Sequence, residues 1–267
     1  MYKRQDLNTI EFSIKDQVAY IWLNRPDKRN ALNAAMLAEL LSLFESISIR
    51  KEARILVLRG RGKVFCAGAD LAIMSDISQK TDEDLQSEAT LFFDCFESLY
   101  RLPIPVICYA HGTVHGGANG LLAASDFVLS TMDTRFSFSE VSLGLVPATV
   151  APFVLRRMGS VKTRQCMISG EIMDGAEAYT SGLVDHLVRQ EDAEEEIENL
   201  TGLLKQNAPG AVMMTKKLLV DIEHKEISGE LRALTAEIIA RARRSDEAKE
   251  GLDAFFSKRI PNWTNRG

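Results

Sequence analysis

Gly62-Lys-Val-Phe-Cys-Ala-Gly-Ala-Asp-Leu71 carries a short apolar run into small residues around a glycine and closes on an acid and a leucine. Ile55-Leu-Val-Leu58 before it is a continuous apolar strand, and Arg59-Gly-Arg-Gly-Lys63 turns the chain. Val64-Phe65-Cys66 reads as a second, short strand entering Ala67-Gly68-Ala69-Asp70. A segment of the same construction follows. Residues 106–109 form a buried strand, Gly112-x-x-x-Gly116-Gly117-x-x-Gly120 a glycine-rich turn, 121–124 a helix and 126–130 another extended stretch. Strand, glycine turn and helix in recurring order predict an α/β chain of stacked ββα units.

Outward from this centre the patterns stay ordinary. Residues 10–23 alternate at period two around the polar Lys15-Asp16-Gln17, which predicts a hairpin. Asn33 is placed to cap a helix with the apolar stripe Leu37, Leu40, Leu41, Phe44 and Ile47. Thr81 with Asp84 three residues on is a capping-box pattern, and its helix is expected to turn Leu85, Ala89, Phe92, Phe93, Phe96 and Leu99 inward. From about residue 191 strand signals cease. Helices are expected over 192–206, 212–223, 230–244 and 246–257, so the chain divides into a core (1–195) and a helical appendage (196–267). Leu231, Leu234, Ile238 and Ile239 of that appendage need a partner surface.

Composition narrows the function. Hydrophobic residues make up 46% and charged residues 26% of 267, an ordinary globular mixture. Thirty-two basic against 37 acidic side chains leave −5, the wrong sign for sequence-independent nucleic-acid binding. Four cysteines without CxxC spacing read as reduced thiols, and the first residues lack the apolar core of a secretory signal, so a cytoplasmic location is expected. The charge-free stretch 102–125 holds two prolines, four glycines, two histidines and an asparagine, unsuited to a lipid-exposed helix. His111 and His115 stand four apart, but the glycines around them argue against a metal-binding helix, and no metal is expected.

Glycines where strand gives way to helix let a ligand approach the main chain and leave amide N–H groups pointing outward. Two such amides aimed at one oxygen would form an oxyanion hole; the same turns also have a purely structural reading. Neither matches GxxxxGK[ST] or GxGxxG, which disfavours nucleotide phosphate binding of those kinds.

Taken together, Asn24-Arg-Pro-Asp-Lys-Arg-Asn-Ala-Leu-Asn33, Gly62 to Leu71, His111-Gly-Thr-Val-His-Gly-Gly-Ala-Asn-Gly-Leu121, Phe138-Ser-Glu-Val-Ser-Leu-Gly-Leu-Val-Pro147 and the later blocks 171–184 and 245–259 resemble the crotonase, or enoyl-CoA hydratase/isomerase, superfamily almost end to end. The resemblance implies a spiral of ββα units with a C-terminal helical region that builds trimers or dimers of trimers. It implies an acyl-CoA substrate, with coenzyme A entering only as part of that substrate and no separate cofactor. By position, the amides of Ala69 and Gly117 would hold the thioester oxygen and Glu140 would be the catalytic acid/base. Hydratases of the family commonly use two glutamates, and the second falls on Gly120, which makes a Δ3,Δ2-enoyl-CoA isomerase a rival. Gly116-Gly-Ala-Asn-Gly-Leu121 with Pro147-Ala-Thr further resembles the methylglutaconyl-CoA hydratase branch, whose substrate carries a distal carboxylate. His115 and Asn119, with Gly120, are the expected pocket residues. Lys28, Arg29, Ala67, Asp70, Leu71 and Lys258 are the expected CoA contacts, Asp70 also being placed to cap a following helix. A non-enzymatic acyl-CoA-binding or RNA-binding homologue is the third reading, and net acidity speaks against RNA.

Overall fold

The computed structural model describes residues 7–49, 52–70 and 79–264. The chain opens on the expected hairpin, β1 (Ile10–Lys15) and β2 (Val18–Leu23), antiparallel and closed by Asp16 and Gln17, both left-handed at φ 49° and 64°. Two left-handed residues in a two-residue loop give the turn whose twist matches the strands. Helix α1 (Ala34–Ile49) starts where Asn33 Oδ1 accepts from the amide of Met36 at 2.9 Å, the predicted cap.

Three ββα passes follow. The first runs from β3 (Ile55–Gly60) through an isolated bridge at Cys66 to α2 (Asp82–Tyr100). The second is β4 (Val106–Ala110), β5 (Thr113–His115) and α3 (Ala118–Ala123). The third is β6 (Phe127–Ser130), β7 (Arg135–Ser137), a 3-10 turn (Ser139–Leu143) and α4 (Ala151–Ser169). Helix α5 (Gly175–Thr180) and β8 (His186–Leu187) complete the core. The main sheet has the order β1-β2-β3-β4-β6-β8, parallel from β2 onward, and β5 and β7 form a second, parallel pair. The result is the expected α/β spiral.

Continuous apolar strands are explained by cover on both faces. Along β3, Leu56 and Leu58 join the main core while Ile55 and Val57 face the other side; along β4, Val106 and Cys108 alternate with Ile107 and Tyr109 in the same way. Helices α1 to α4 pack on the first face. On the second lies α6 (Ala193–Lys205), through Ala193 and Ile197. The expected boundary between residues 195 and 196 thus falls inside a helix that packs on the core sheet.

Val64 to Cys66 is a correction. The segment is no strand, and only Cys66 bridges, to Val114. Its carbonyls are claimed by a side chain instead, since Asn30 Nδ2 lies 3.0 Å from Val64 O and 3.1 Å from Phe65 O.

Helices α7 (Pro209–Ile222), α8 (Gly229–Arg243) and α9 (Asp246–Phe256) bury one residue between them, Ala254. They are tied to the start of β3, where Arg54 donates to the carbonyls of Lys205, Asn207 and Trp263.

Candidate active site

Two loops meet at the ends of β3 and β4. The fully buried Asn30 organises the first, its Oδ1 accepting from Arg25 N at 2.9 Å and its Nδ2 reaching Arg61 O, Val64 O and Phe65 O. Three main-chain bonds then hold 67–70 to the first loop: Ala67 N to Arg29 O (3.0 Å), Leu32 N to Gly68 O (2.7 Å) and Asp70 N to Leu32 O (2.8 Å). The amide of Ala69 donates to no protein acceptor among the described residues. Gly68 is left-handed at φ 91°, and a Cβ there would lie 2.6 Å from His115 O, so only glycine lets the two loops touch.

In the second loop Gly116 N donates to Ser137 O at 2.8 Å and Gly117 O accepts from Gly120 N at 3.0 Å. The amide of Gly117, at the start of α3, has no protein acceptor among the described residues either. An amide N–H held at a helix start and left unpaired is a donor kept for something else.

Glu140 rises from the 3-10 turn after β7 to meet that loop. A Cβ on Gly116 would stand 2.9 Å from Glu140 Oε1 and 3.7 Å from Oε2, so the carboxylate lies against the residue that precedes Gly117. Oε2 is buried and makes no hydrogen bond, and burial raises the Glu140 pKa above the ordinary carboxylate value, offset in part by its own main-chain N–H. A desolvated carboxylate with one oxygen unbonded, lying against the residue that precedes a free amide, is fitted to move a proton.

The remaining predicted residues divide. His115 is half-buried, shares a 2.6 Å hydrogen bond between its Nδ1 and Ser137 Oγ, and has its pKa lowered first by burial and then by the charge of Arg29. Lys28 and Arg29 are exposed on the first loop, and Ala67 is bonded to it. Asp70 forms an ion pair with Arg25 at 2.8 Å. Leu71 lies outside the described residues, as does the helix that Asp70 was expected to cap.

Three expected residues take places away from the meeting of the loops or beneath its surface. Asn119 is fully buried with its Nδ2 committed to Gly116 O (3.1 Å) and Ser137 O (2.9 Å), so it braces the turn and offers no pocket surface. Gly120 is buried and faces the ring of Phe96, whose atoms a Cβ would meet at 2.7 Å. Lys258 follows α9, which is anchored near Arg54 at the far end of β3, and among the described residues no hydrogen bond or ion pair joins it to the first loop. Sequence reading missed Ser137 and Arg25, and Ala89, expected inward, is exposed. Arg25 lies within the Asn24–Asn33 block and was legible as part of it, whereas nothing in the sequence pairs Ser137 with His115.

The sequence model of the enoyl-CoA hydratase/isomerase family matches residues 13–266. An enoyl-CoA hydratase from Shewanella pealeana superposes with a TM-score of 0.93 at 33% identity, covering 97% of each chain. An enoyl-CoA hydratase/isomerase from Marinobacter aquaeolei gives 0.92 at 32% identity, over 96% of this chain and 99% of its own. A trans-2-decenoyl-[acyl-carrier-protein] isomerase of Streptococcus mutans is 28% identical over 98% of this chain and 100% of its own. With its core sheet, its helical C-terminal region and the motif loops in these places, the chain belongs to the enoyl-CoA hydratase/isomerase family and has the crotonase fold.

Proposed function

We propose that the protein reversibly hydrates 3-methylglutaconyl-CoA to 3-hydroxy-3-methylglutaryl-CoA. The amides of Ala69 and Gly117 take the thioester oxygen, which lowers the barrier to an enolate. Glu140 removes a proton from water as the oxygen bonds to C3 and delivers it to C2 on the same face. The observation that carries this reading is that the amides of Ala69 and Gly117, without protein acceptors among the described residues, lie on two loops that touch, with the Glu140 carboxylate against Gly116. His115, half-buried beside Arg29, is the donor suited to the distal carboxylate of that acyl group, with Arg29 and Lys28 serving CoA phosphates. Coenzyme A enters as part of the substrate, and the reaction needs no further cofactor.

A second reading has an observation of its own. Gly120 presents no acid, and one carboxylate suffices for a Δ3,Δ2-enoyl-CoA isomerase, which takes a proton from C2 and returns it at C4. An assay of the purified protein on 3-methylglutaconyl-, crotonyl- and 3-hexenoyl-CoA separates the two. Loss of the conjugated-thioester absorbance with the first substrate is expected. Turnover of 3-hexenoyl-CoA with none of the methylglutaconyl thioester would select the isomerase, and turnover of none would leave a binding protein.

A further inference from the structure

The aromatic face of α2 occupies the ground that a side chain at position 120 would need. A Cβ on Gly120 would lie 2.7 Å from Phe96 Cε2 and Cζ and 2.8 Å from Cδ2. Phe96 is fully buried, with Phe92 at 6.3 Å and Phe153 at 6.0 Å between ring centroids, so its ring has nowhere to swing. A larger residue at 120 and the Phe96 ring are therefore mutually exclusive. One turn earlier on the same helix face, the half-buried Phe92 puts Cε1 and Cδ1 3.7 and 3.8 Å from where a Gly117 Cβ would be. Gly117 carries one of the two free amides, so the surface beside a bound thioester is a phenylalanine ring.

We propose that Phe92, buttressed by Phe96, is the specificity-determining wall of the acyl site, favouring compact acyl groups branched at C3 over long straight chains. A ring edge against Gly117 offers van der Waals contact to a C3 methyl and blocks the path that an extended chain would take. The chemistry agrees. In the dehydration direction an alkyl group on C3 stabilises the partial positive charge that builds there as the C3–OH bond breaks, which eases the demand for a second carboxylate to assist the leaving hydroxyl. The inference rests on the thioester reading of the two free amides.

The test compares kcat/KM for 3-methylcrotonyl-, crotonyl- and 2-octenoyl-CoA in the parent, Phe92→Leu and Phe92→Ala, with thermal melts to show that each variant is folded. Phe92→Ala is expected to raise the octenoyl to 3-methylcrotonyl ratio by about tenfold or more, chiefly through KM of the long chain, with Phe92→Leu between. A ratio that stays within about twofold of the parent in both folded variants overturns the proposal. Glu140→Gln, run alongside, keeps the two readings apart, because retained turnover in that variant sinks the assigned chemistry, while its loss with an unmoved ratio sinks only the wall.

Discussion

An acid kept without a partner costs stability, and Glu140 is such an acid. Its Oε2 is buried and unbonded, and burial raises its pKa. A carboxyl whose folded pKa lies above its unfolded value favours folding while it holds its proton and loses that advantage as pH rises through the folded pKa. Glu140→Gln should therefore melt no lower than the parent at pH 8, with the difference closing as pH falls through the window between the ordinary value and the raised one. The same substitution should cut turnover by about 10²–10⁴ with CoA affinity kept. In the parent, the acid limb of kcat/KM should stand above the usual glutamate value of about 4.3. Unchanged turnover would remove Glu140 from its role. The residue was found by its motif and not by its chemistry, since a lone glutamate in a sequence gives no hint of burial.

At the scale of elements, legibility followed how local the cause was. The capping box of Thr81 and Asp84 and the hairpin around Asp16 were readable because the groups that bond lie within a few residues. The apolar runs of β3 and β4 were readable because cover on both faces leaves no alternation to confuse. Residues 64–66 were misread because their fate is decided by Asn30, more than thirty positions upstream, whose amide takes carbonyls that a strand would have shared. Asn119 and Gly120 were assigned to the pocket for the same lack of distant information. The main-chain groups that occupy the first, and the ring of Phe96 that fills the space beside the second, come from other elements. The glycine turns were legible as turns, but which amides stay free depends on every other bond in both loops.

At the scale of the whole molecule, the surface looks unfinished for a monomer. Leu143, Val146, Val161, Ile168, Phe255 and Phe256 are each more than 60% exposed, and α7 to α9 bury almost nothing within the chain. Assembly into trimers is the expected remedy. Light scattering should give about three times 29.7 kDa, or twice that again for paired trimers; a mass of one chain would contradict it. The proposed acyl-CoA chemistry turns on the meeting of the two loops over one oxygen. The crystal structure of a complex with a non-reactive acyl-CoA thioester reads that meeting directly. The carbonyl oxygen should lie about 2.7–3.1 Å from the nitrogens of both Ala69 and Gly117, with the Glu140 carboxylate beside C2. A carbonyl oxygen facing solvent, or a Glu140 side chain turned away from the acyl group, would contradict it.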